Sequence, residues 1–98
     1  MLEYLEYINE DGSNVPCDLT VFALSTCGFC KRSLMFLRDN HIRFKYIYVD
    51  LLDTEIKEKV KSALSDKFKT RIGFPFAVLN GNEYLRGFNQ EEWTKKLL

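Results

Sequence analysis

The sequence has few of the residues that ligate metals or crosslink chains: one histidine and three cysteines among 98 residues. Zinc is normally held by four such side chains, often as two close cysteine pairs, and this chain offers one close pair. Net charge is also absent, because 14 basic residues balance 14 acidic ones. A neutral chain has no overall field that favours nucleic acid or an acidic membrane surface. These counts argue against a metalloprotein, a nucleic-acid-binding protein and a membrane-surface protein.

Long apolar segments are missing as well, and "VFAL" (Val21 to Leu24) is typical of the longest. A membrane-spanning helix needs about 20 apolar residues. The start of the chain carries Glu3 and Glu6 and lacks the apolar region of a signal peptide. We therefore expect a cytoplasmic protein, and a monomer. In a reducing compartment a close cysteine pair is more often catalytic or metal-binding than a permanent disulfide.

Apolar and aromatic side chains are plentiful, with 46% hydrophobic residues, eight Phe and five Tyr. That supply is enough for one core, and the length fits one domain. Residues 19–24 are short, apolar and β-branched like a buried strand, and residues 44–50 alternate like a second strand. The pattern predicts a helix between them that ends near Asn40, and a second helix capped by Asp53 or Thr54.

The last quarter of the chain predicts a hairpin and a helix. Asn80-Gly81 between two apolar runs is a strong hairpin signal. Asn89 and Glu92 have capping-box spacing, and Phe88 and Trp93 can pack across that cap. The predicted order is therefore β-α-β-α-β-β-α, with the first two strands parallel and the last two antiparallel. Residues 1–18 are ambiguous: "EYLEYI" is compatible with a helix or a strand, and "NEDGSN" favours a turn.

The stretch "STCGFCKR" (Ser25 to Arg32) holds two of the three cysteines at a predicted strand-to-helix turn. Only a thiolate attacks a disulfide, and the unpaired N–H groups that open a helix favour an anion at Cys27. Lys31, one turn further, adds a positive charge. Cys30 lies deeper along the helix and is expected to be more buried and protonated. This asymmetry predicts that Cys27 attacks first and that Cys30 resolves the mixed disulfide.

Other uses of the thiols stay open at this point. The pair can ligate a metal, or it can be reduced and unreactive. Unreactive thiols are less expected at a strand-to-helix turn, because the N–H groups that open a helix favour the thiolate. Cys17 precedes the first predicted strand and has no second partner, so we interpret it as a spectator. His41 follows the helix-ending Asn40, and we expect a surface residue there.

At this point the sequence resembles the glutaredoxin family of the thioredoxin-fold superfamily. The resemblance lies in a strand followed by "CGFC", in "YVD" ending the second strand, in "GFPF" opening the third, and in "LRGFNQ" before the last helix. It implies an α/β thioredoxin-like domain over residues 19–98 with a four-stranded mixed sheet, preceded by an extension over residues 1–18. It also implies a thiol–disulfide oxidoreductase with no tightly bound cofactor, for which glutathione is co-substrate and disulfide-containing proteins are partners.

The resemblance further implies site residues. It makes Pro75 a cis proline whose loop faces the reactive cysteine, and it lets the backbone of Phe74 pair with a bound disulfide substrate. In the final helix, N–H groups can receive one glutathione carboxylate, and Arg71 another. The full set of expected substrate or glutathione contacts is Gly28, Phe29, Lys31, Arg71, Phe74, Pro75, Gly87, Phe88 and Asn89.

Departures from the family pattern favour two alternatives. Leu24 stands where glutaredoxins usually have Lys, and Gly87-Phe88-Asn89 replaces their Gly-Gly and Asp-containing segment. Gly87-Phe88 is similar to the segment of redoxins that thioredoxin reductase re-reduces and that supply electrons to ribonucleotide reductase. Gly28-Phe29 is similar to the motif of iron–sulfur-carrying glutaredoxins, which implies a rival binding-module function. Phe88 and Asn89 also have a purely structural explanation in the predicted helix cap.

Overall fold

The sheet contains five strands, one more than the sequence predicted. The structure, a computed structural model, describes residues 2–98. In chain order the strands and helices are β1 (Ile8–Glu10), β2 (Leu19–Ala23), α1 (Gly28–Asp39), β3 (Phe44–Tyr48), α2 (Thr54–Phe68), β4 (Phe76–Leu79), β5 (Glu83–Arg86) and α3 (Gln90–Leu97). From β2 onward this is the predicted order of a thioredoxin-like fold. No helix of residues 2–98 combines the length and hydropathy of a membrane span.

The strand order is β1-β3-β2-β4-β5. β2 and β3 are parallel, as expected for strands joined by a helical crossover, and every other pair is antiparallel. Strands β2, β3 and β5 therefore run in one direction and end at one edge of the sheet. Each is followed by the start of a helix, so the N-termini of α1, α2 and α3 all lie along that edge.

The additional strand corrects the prediction for the N-terminal residues. Ile8 to Glu10 pairs antiparallel with β3, with Ile8 opposite Tyr46. Asn9 and Glu10, expected in a turn, belong to this strand, because the open edge of β3 offers unpaired N–H and C=O groups. Asn14 extends the attachment through hydrogen bonds with His41 and Arg43, of 2.9 and 3.0 Å.

A second correction concerns the end of β3, which was expected to reach Asp50. The strand ends at Tyr48, and Val49–Leu51 forms one turn of 3₁₀ helix. The reason lies at the neighbouring strand β2, where the carboxylate of Asp50 accepts hydrogen bonds from Ser25 beside the end of that strand. Those contacts turn the chain out of the strand two residues early.

Two apolar clusters pack on opposite faces of the sheet, in agreement with the alternation of the strands. Val21 faces the side covered by α1 and α3, and its neighbour Phe22 faces the side covered by α2.

The hairpin turn and the helix cap in the last quarter of the chain also agree with prediction. Asn80 and Gly81 have φ of 54° and 73°, which glycine and asparagine adopt most readily. Asn89 Oδ1 accepts the Glu92 N–H at 3.0 Å, capping α3.

Candidate active site at the start of the first helix

Cys27 is the N-cap residue of α1, directly after the turn that follows β2. Its backbone is extended, and its Sγ accepts the N–H of Cys30 at 3.2 Å. The sulfur therefore occupies the place of an N-capping oxygen, among N–H groups that have no partner inside the helix. The side chain is half-buried and its thiol is free. A partly exposed sulfur in a field that favours negative charge is suited to nucleophilic attack.

Cys30 lies one turn deeper and is fully buried, as predicted. Burial, and secondarily its contact with Cys27, raises the pKa of the Cys30 thiol to about 12. One interaction opposes that shift: the backbone N–H of Leu24 points at Cys30 Sγ, with a nitrogen–sulfur distance of 3.4 Å. Two neighbouring thiols thus differ in exposure, and the inner one is held protonated at neutral pH.

The residues around the pair are exposed. Phe29, between the thiols, has 56% of its surface accessible, and the Arg32 guanidinium lies 5.3 Å from its ring centroid. Lys31 is exposed one turn after Cys27. At Gly28 a side chain would meet no atom within 4 Å, so no steric requirement explains the glycine. This surface is open to a partner molecule.

The loop before β4 contains the expected cis peptide bond between Phe74 and Pro75. Pro75 is buried, and its carbonyl accepts the N–H of Gly87 at 2.7 Å. In residues 2–98 neither the N–H nor the C=O of Phe74 has a backbone partner. The Phe74 backbone is therefore available to a bound peptide.

Phe88 and Asn89 are engaged in packing and capping. The ring of Phe88 lies 5.7 Å from that of Phe36 and 5.1 Å from that of Trp93. Trp93 Nε1 in turn donates to the carbonyl of Gly87 at 3.0 Å. The sequence-predicted helix cap thus accounts for these side chains without a ligand.

Arg71 is exposed on the loop after α2, and a second arginine accompanies it. Arg86 Nη1 donates to Thr70 Oγ1 at 2.8 Å, and the carbonyl of Arg71 is 3.4 Å away. The stem of Arg86 crosses Gly73, where an added Cβ would lie 3.2 Å from Arg86 Cγ. Arg86 was not predicted, although it is part of the "LRGFNQ" motif. Its placement depends on strand pairing, which brings it opposite Phe76.

Ser25 and Asp50 were also missed as site residues. The Ser25 N–H donates to Asp50 Oδ1 at 2.9 Å, and Ser25 Oγ donates to Asp50 Oδ2 at 2.5 Å. These hydrogen bonds hold the pKa of the Asp50 carboxyl below its usual range. A signal was present in the sequence, because both polar residues follow parallel strands, and such strand ends meet at one edge.

Cys17 and His41 lie away from this edge. Cys17 precedes β2 and Cys27 follows it, so the five-residue strand, roughly 16 Å long, separates them. Burial, with the nearby carboxylates of Asp18 and Glu83, raises the pKa of Cys17. His41 is exposed just beyond the end of α1, as predicted. Across residues 2–98 no three His, Cys, Asp or Glu side chains gather as a metal-binding group.

Comparison with known proteins gives one family. The family model described as Glutaredoxin matches residues 19–82. A search of curated proteins finds no match.

Solved structures give the same picture over more of the chain. It is similar to methanoredoxin of Methanosarcina acetivorans, at 28% identity and TM-score 0.82, over 92% of this chain and 94% of that one. It is similar to the glutaredoxin of Methanosarcina mazei Go1, at 26% identity and TM-score 0.80, over 95% and 88%. A glutaredoxin of Archaeoglobus fulgidus is 29% identical with TM-score 0.71, over 82% and 85%.

Proposed function

The chain belongs to the glutaredoxin family, and from that premise we propose that it reduces protein disulfides or glutathione mixed disulfides through Cys27 and Cys30. The observation that carries the proposal is the difference between the two thiols. Cys27 is half-exposed among the free N–H groups of a helix start, whereas Cys30 is buried and protonated behind it. A nucleophile backed by a protected second thiol fits an exchange reaction with a delayed resolving step.

In the first step, the Cys27 thiolate attacks one sulfur of the substrate disulfide. The substrate S–S bond breaks, a Cys27 mixed disulfide forms, and the other substrate sulfur leaves as a thiolate. In the second step, either glutathione or Cys30 attacks Cys27 Sγ and releases the remaining substrate thiol. Attack by glutathione leaves glutathione on Cys27; a second glutathione then attacks the sulfur of that bound glutathione, which releases glutathione disulfide and regenerates the Cys27 thiolate. Attack by Cys30 closes an internal disulfide instead.

We assign glutathione as co-substrate, with no tightly bound cofactor, because the exposed surface beside Cys27 carries positive charge. Lys31 and Arg71 are both exposed, and a guanidinium such as that of Arg71 pairs readily with a carboxylate. The backbone of Phe74 is available for pairing with the peptide part of the ligand. The other proposed contacts are Gly28, Phe29, Pro75, Gly87, Phe88 and Asn89.

Recycling by thioredoxin reductase, with electron delivery to ribonucleotide reductase, is the second candidate. One side chain favours it: Leu24 replaces the lysine usual in glutaredoxins, and it packs half-buried against the apolar cluster under α2. That position therefore offers no positive charge to glutathione. In either version we propose a monomer that acts in electron transfer and redox homeostasis. We assign it to the cytoplasm, because cytosolic reductants keep such thiols reduced.

The deciding experiment identifies the reductant. Turnover of a glutathionylated small disulfide is followed by NADPH oxidation, first with glutathione and glutathione reductase, then with thioredoxin reductase. We expect turnover in the glutathione system. Turnover with thioredoxin reductase alone would replace the glutathione assignment with the second candidate. A protein that is coloured or metal-loaded as purified, and inactive in both systems, would contradict the oxidoreductase proposal itself.

A further inference from the structure

The turn between β2 and Cys27 is tied to its surroundings at three points. The N–H of Leu24 points at Cys30 Sγ, 3.4 Å away. The carbonyl of Leu24 accepts the N–H of Cys27, also at 3.4 Å. Ser25, the next residue, gives both its N–H and its hydroxyl to the carboxylate of Asp50. The first contact joins the turn to the Cys30 sulfur, the second joins it to the backbone of Cys27, and the third joins it to the end of the neighbouring strand.

The contact with Asp50 is the stronger anchor. It uses both carboxylate oxygens, at 2.9 and 2.5 Å, and hydrogen bonds to a charged group are stronger than neutral ones. Within residues 2–98 no cation forms a salt bridge with Asp50. The carboxylate is thus committed to Ser25. Its hydrogen bond with the Ser25 N–H holds the Leu24–Ser25 peptide group, which directly follows the peptide group that carries the Leu24 N–H.

We propose that Ser25 and Asp50 are a positioning pair for the resolving step, and that they hold the Leu24 N–H where it stabilises the attacking sulfur of Cys30. The inference rests on the proposed roles of Cys27 and Cys30. In that step Cys30 loses its proton, its sulfur bonds to Cys27 Sγ, and the Cys27–substrate S–S bond breaks. The departing substrate sulfur carries the electron pair and takes up a proton, so no outside reductant is needed.

A buried sulfur needs such a donor, because a thiolate out of water is unfavourable without hydrogen bonds. In residues 2–98 the Leu24 N–H is the one backbone donor aimed at Cys30 Sγ. The Cys27 sulfur does not contact the Leu24 N–H, and in the described part of the chain the one link from Cys27 to this turn is the long hydrogen bond from its backbone N–H to the Leu24 carbonyl. Its sulfur is held by the Cys30 N–H, and its carbonyl accepts the N–H of Lys31, both inside the start of α1. Loss of the Ser25–Asp50 contact should therefore slow resolution more than first attack.

The two steps can be timed separately with 5,5′-dithiobis(2-nitrobenzoate) in a Cys17→Ser background. The first release of nitrothiobenzoate reports attack by Cys27, and the second reports attack by Cys30 on the mixed disulfide. We expect Ser25→Ala and Asp50→Ala to slow the second release about fivefold or more, the value of one lost hydrogen bond. The first release should change by less than about twofold. Ser25→Thr, which keeps the hydroxyl, should restore the second rate.

Matched controls are Asp53→Asn and Ser62→Ala. Asp53 lies three residues from Asp50, and its side chain makes no capping hydrogen bond to α2. Ser62 is exposed on α2. Neither control should change either release. Circular dichroism of each variant checks that the fold is retained.

Asp50→Asn separates position from charge. The negative charge of Asp50 contributes, as a minor cause, to the raised pKa of Cys30. If that charge were the whole effect, Asp50→Asn would speed the second release and Ser25→Ala would leave it unchanged, which would overturn the proposal. Equal slowing of both releases by Ser25→Ala would also overturn it, because a general loss of structure predicts that result. A wild-type protein without a second release would instead refute the resolving role of Cys30, and the inference with it.

Discussion

Two regions of this small protein carry a cysteine at an end of β2, and they are suited to different chemistry. At the end of the strand, Cys27 caps a helix, contacts the backbone of a second cysteine and remains half-exposed. Before the strand, Cys17 sits half-buried against the apolar core, near the carboxylates of Asp18 and Glu83. The same side chain therefore lies among the N–H groups of a helix start in one place, whereas burial and nearby carboxylates raise its pKa in the other.

The direction of the strands causes this difference. Since β2, β3 and β5 end at one edge, the three helices that follow them all begin there, and helix starts favour negative charge. The end of α1 and the Asn80-Gly81 turn lie at the opposite edge of the sheet. The backbone N–H of Asn80 donates there to the Asp18 carbonyl at 2.8 Å. Position in the topology, more than local sequence, thus gives the two cysteines their different surroundings.

Among the predicted changes, Cys27→Ser should have the greatest consequence, and it tests the contrast between the two ends of β2 directly. Cys27→Ser should reduce disulfide turnover to background, because it removes the attacking sulfur. Cys17→Ser, the matched change at the other end of the strand, should leave turnover unchanged. Limited alkylation of the reduced wild-type protein, followed by peptide mapping, should label Cys27 first. Preferential labelling of Cys17 would mean that the two ends of β2 do not differ as described.

Cys30→Ser should give the next largest effect, and its size depends on the substrate. Glutathione can release a glutathione adduct from Cys27 without a second thiol, so deglutathionylation in excess glutathione should persist. Reduction that proceeds through an internal Cys27–Cys30 disulfide should stop. Both activities are measured on the same preparation. Loss of both would favour recycling by thioredoxin reductase.

Arg71→Ala should have a moderate effect on the glutathione reaction. Removal of a charge-assisted carboxylate contact is expected to lower kcat/KM about tenfold, or about 1–2 kcal/mol. Arg43→Ala is the control, because Arg43 is also exposed but lies at the Cys17 edge, where it hydrogen-bonds Asn14 through its backbone. The control should leave kcat/KM unchanged. Equal losses in both variants would show a general charge effect, not a contact.

The smallest effect concerns how the N-terminal segment is attached. Glu10 accepts hydrogen bonds from Arg38 on α1, and this lowers the pKa of the Glu10 carboxyl. Glu10→Gln should cost about 0.5–1 kcal/mol of unfolding free energy, as for a partly exposed pair, without change in turnover. Because the folded-state pKa is lowered, the contribution is complete above the unfolded Glu value of about 4.3 and is lost as the pH falls through the folded value.

Thermal unfolding of wild type and Glu10→Gln at several pH values measures this. The gap between the two melting temperatures should close in acid. Glu55→Gln, which removes an exposed pair with Lys59 at 3.6 Å, should have a smaller effect at neutral pH. A gap for Glu10→Gln that persists unchanged in acid would show that the carboxylate charge is not what attaches β1.

Much of the fold was predictable because its signals are local. The Asn80-Gly81 hairpin and the Asn89 cap depend on residues within a few positions of one another, and both are confirmed. β1 was not predictable, because Ile8 lies in a stretch compatible with a helix or a strand, and Asn9 and Glu10 have turn composition; the edge of β3 makes them a strand. The end of β3 was placed too late for the same reason, since the partner of Asp50 lies 25 residues away.

The close cysteine pair and its asymmetry in burial follow from a local pattern. A strand followed by Cys-Gly-Phe-Cys and an amphipathic helix already places one sulfur at the helix start and the other one turn inside it. The surroundings of that pair depend on contacts between distant parts of the chain. Strand pairing brings Asp50 to Ser25 and Arg86 to the loop before Pro75, and it sends Cys17 to the far edge. Such contacts join residues far apart in the chain, and their partners are chosen by the register of the sheet, which no local pattern encodes.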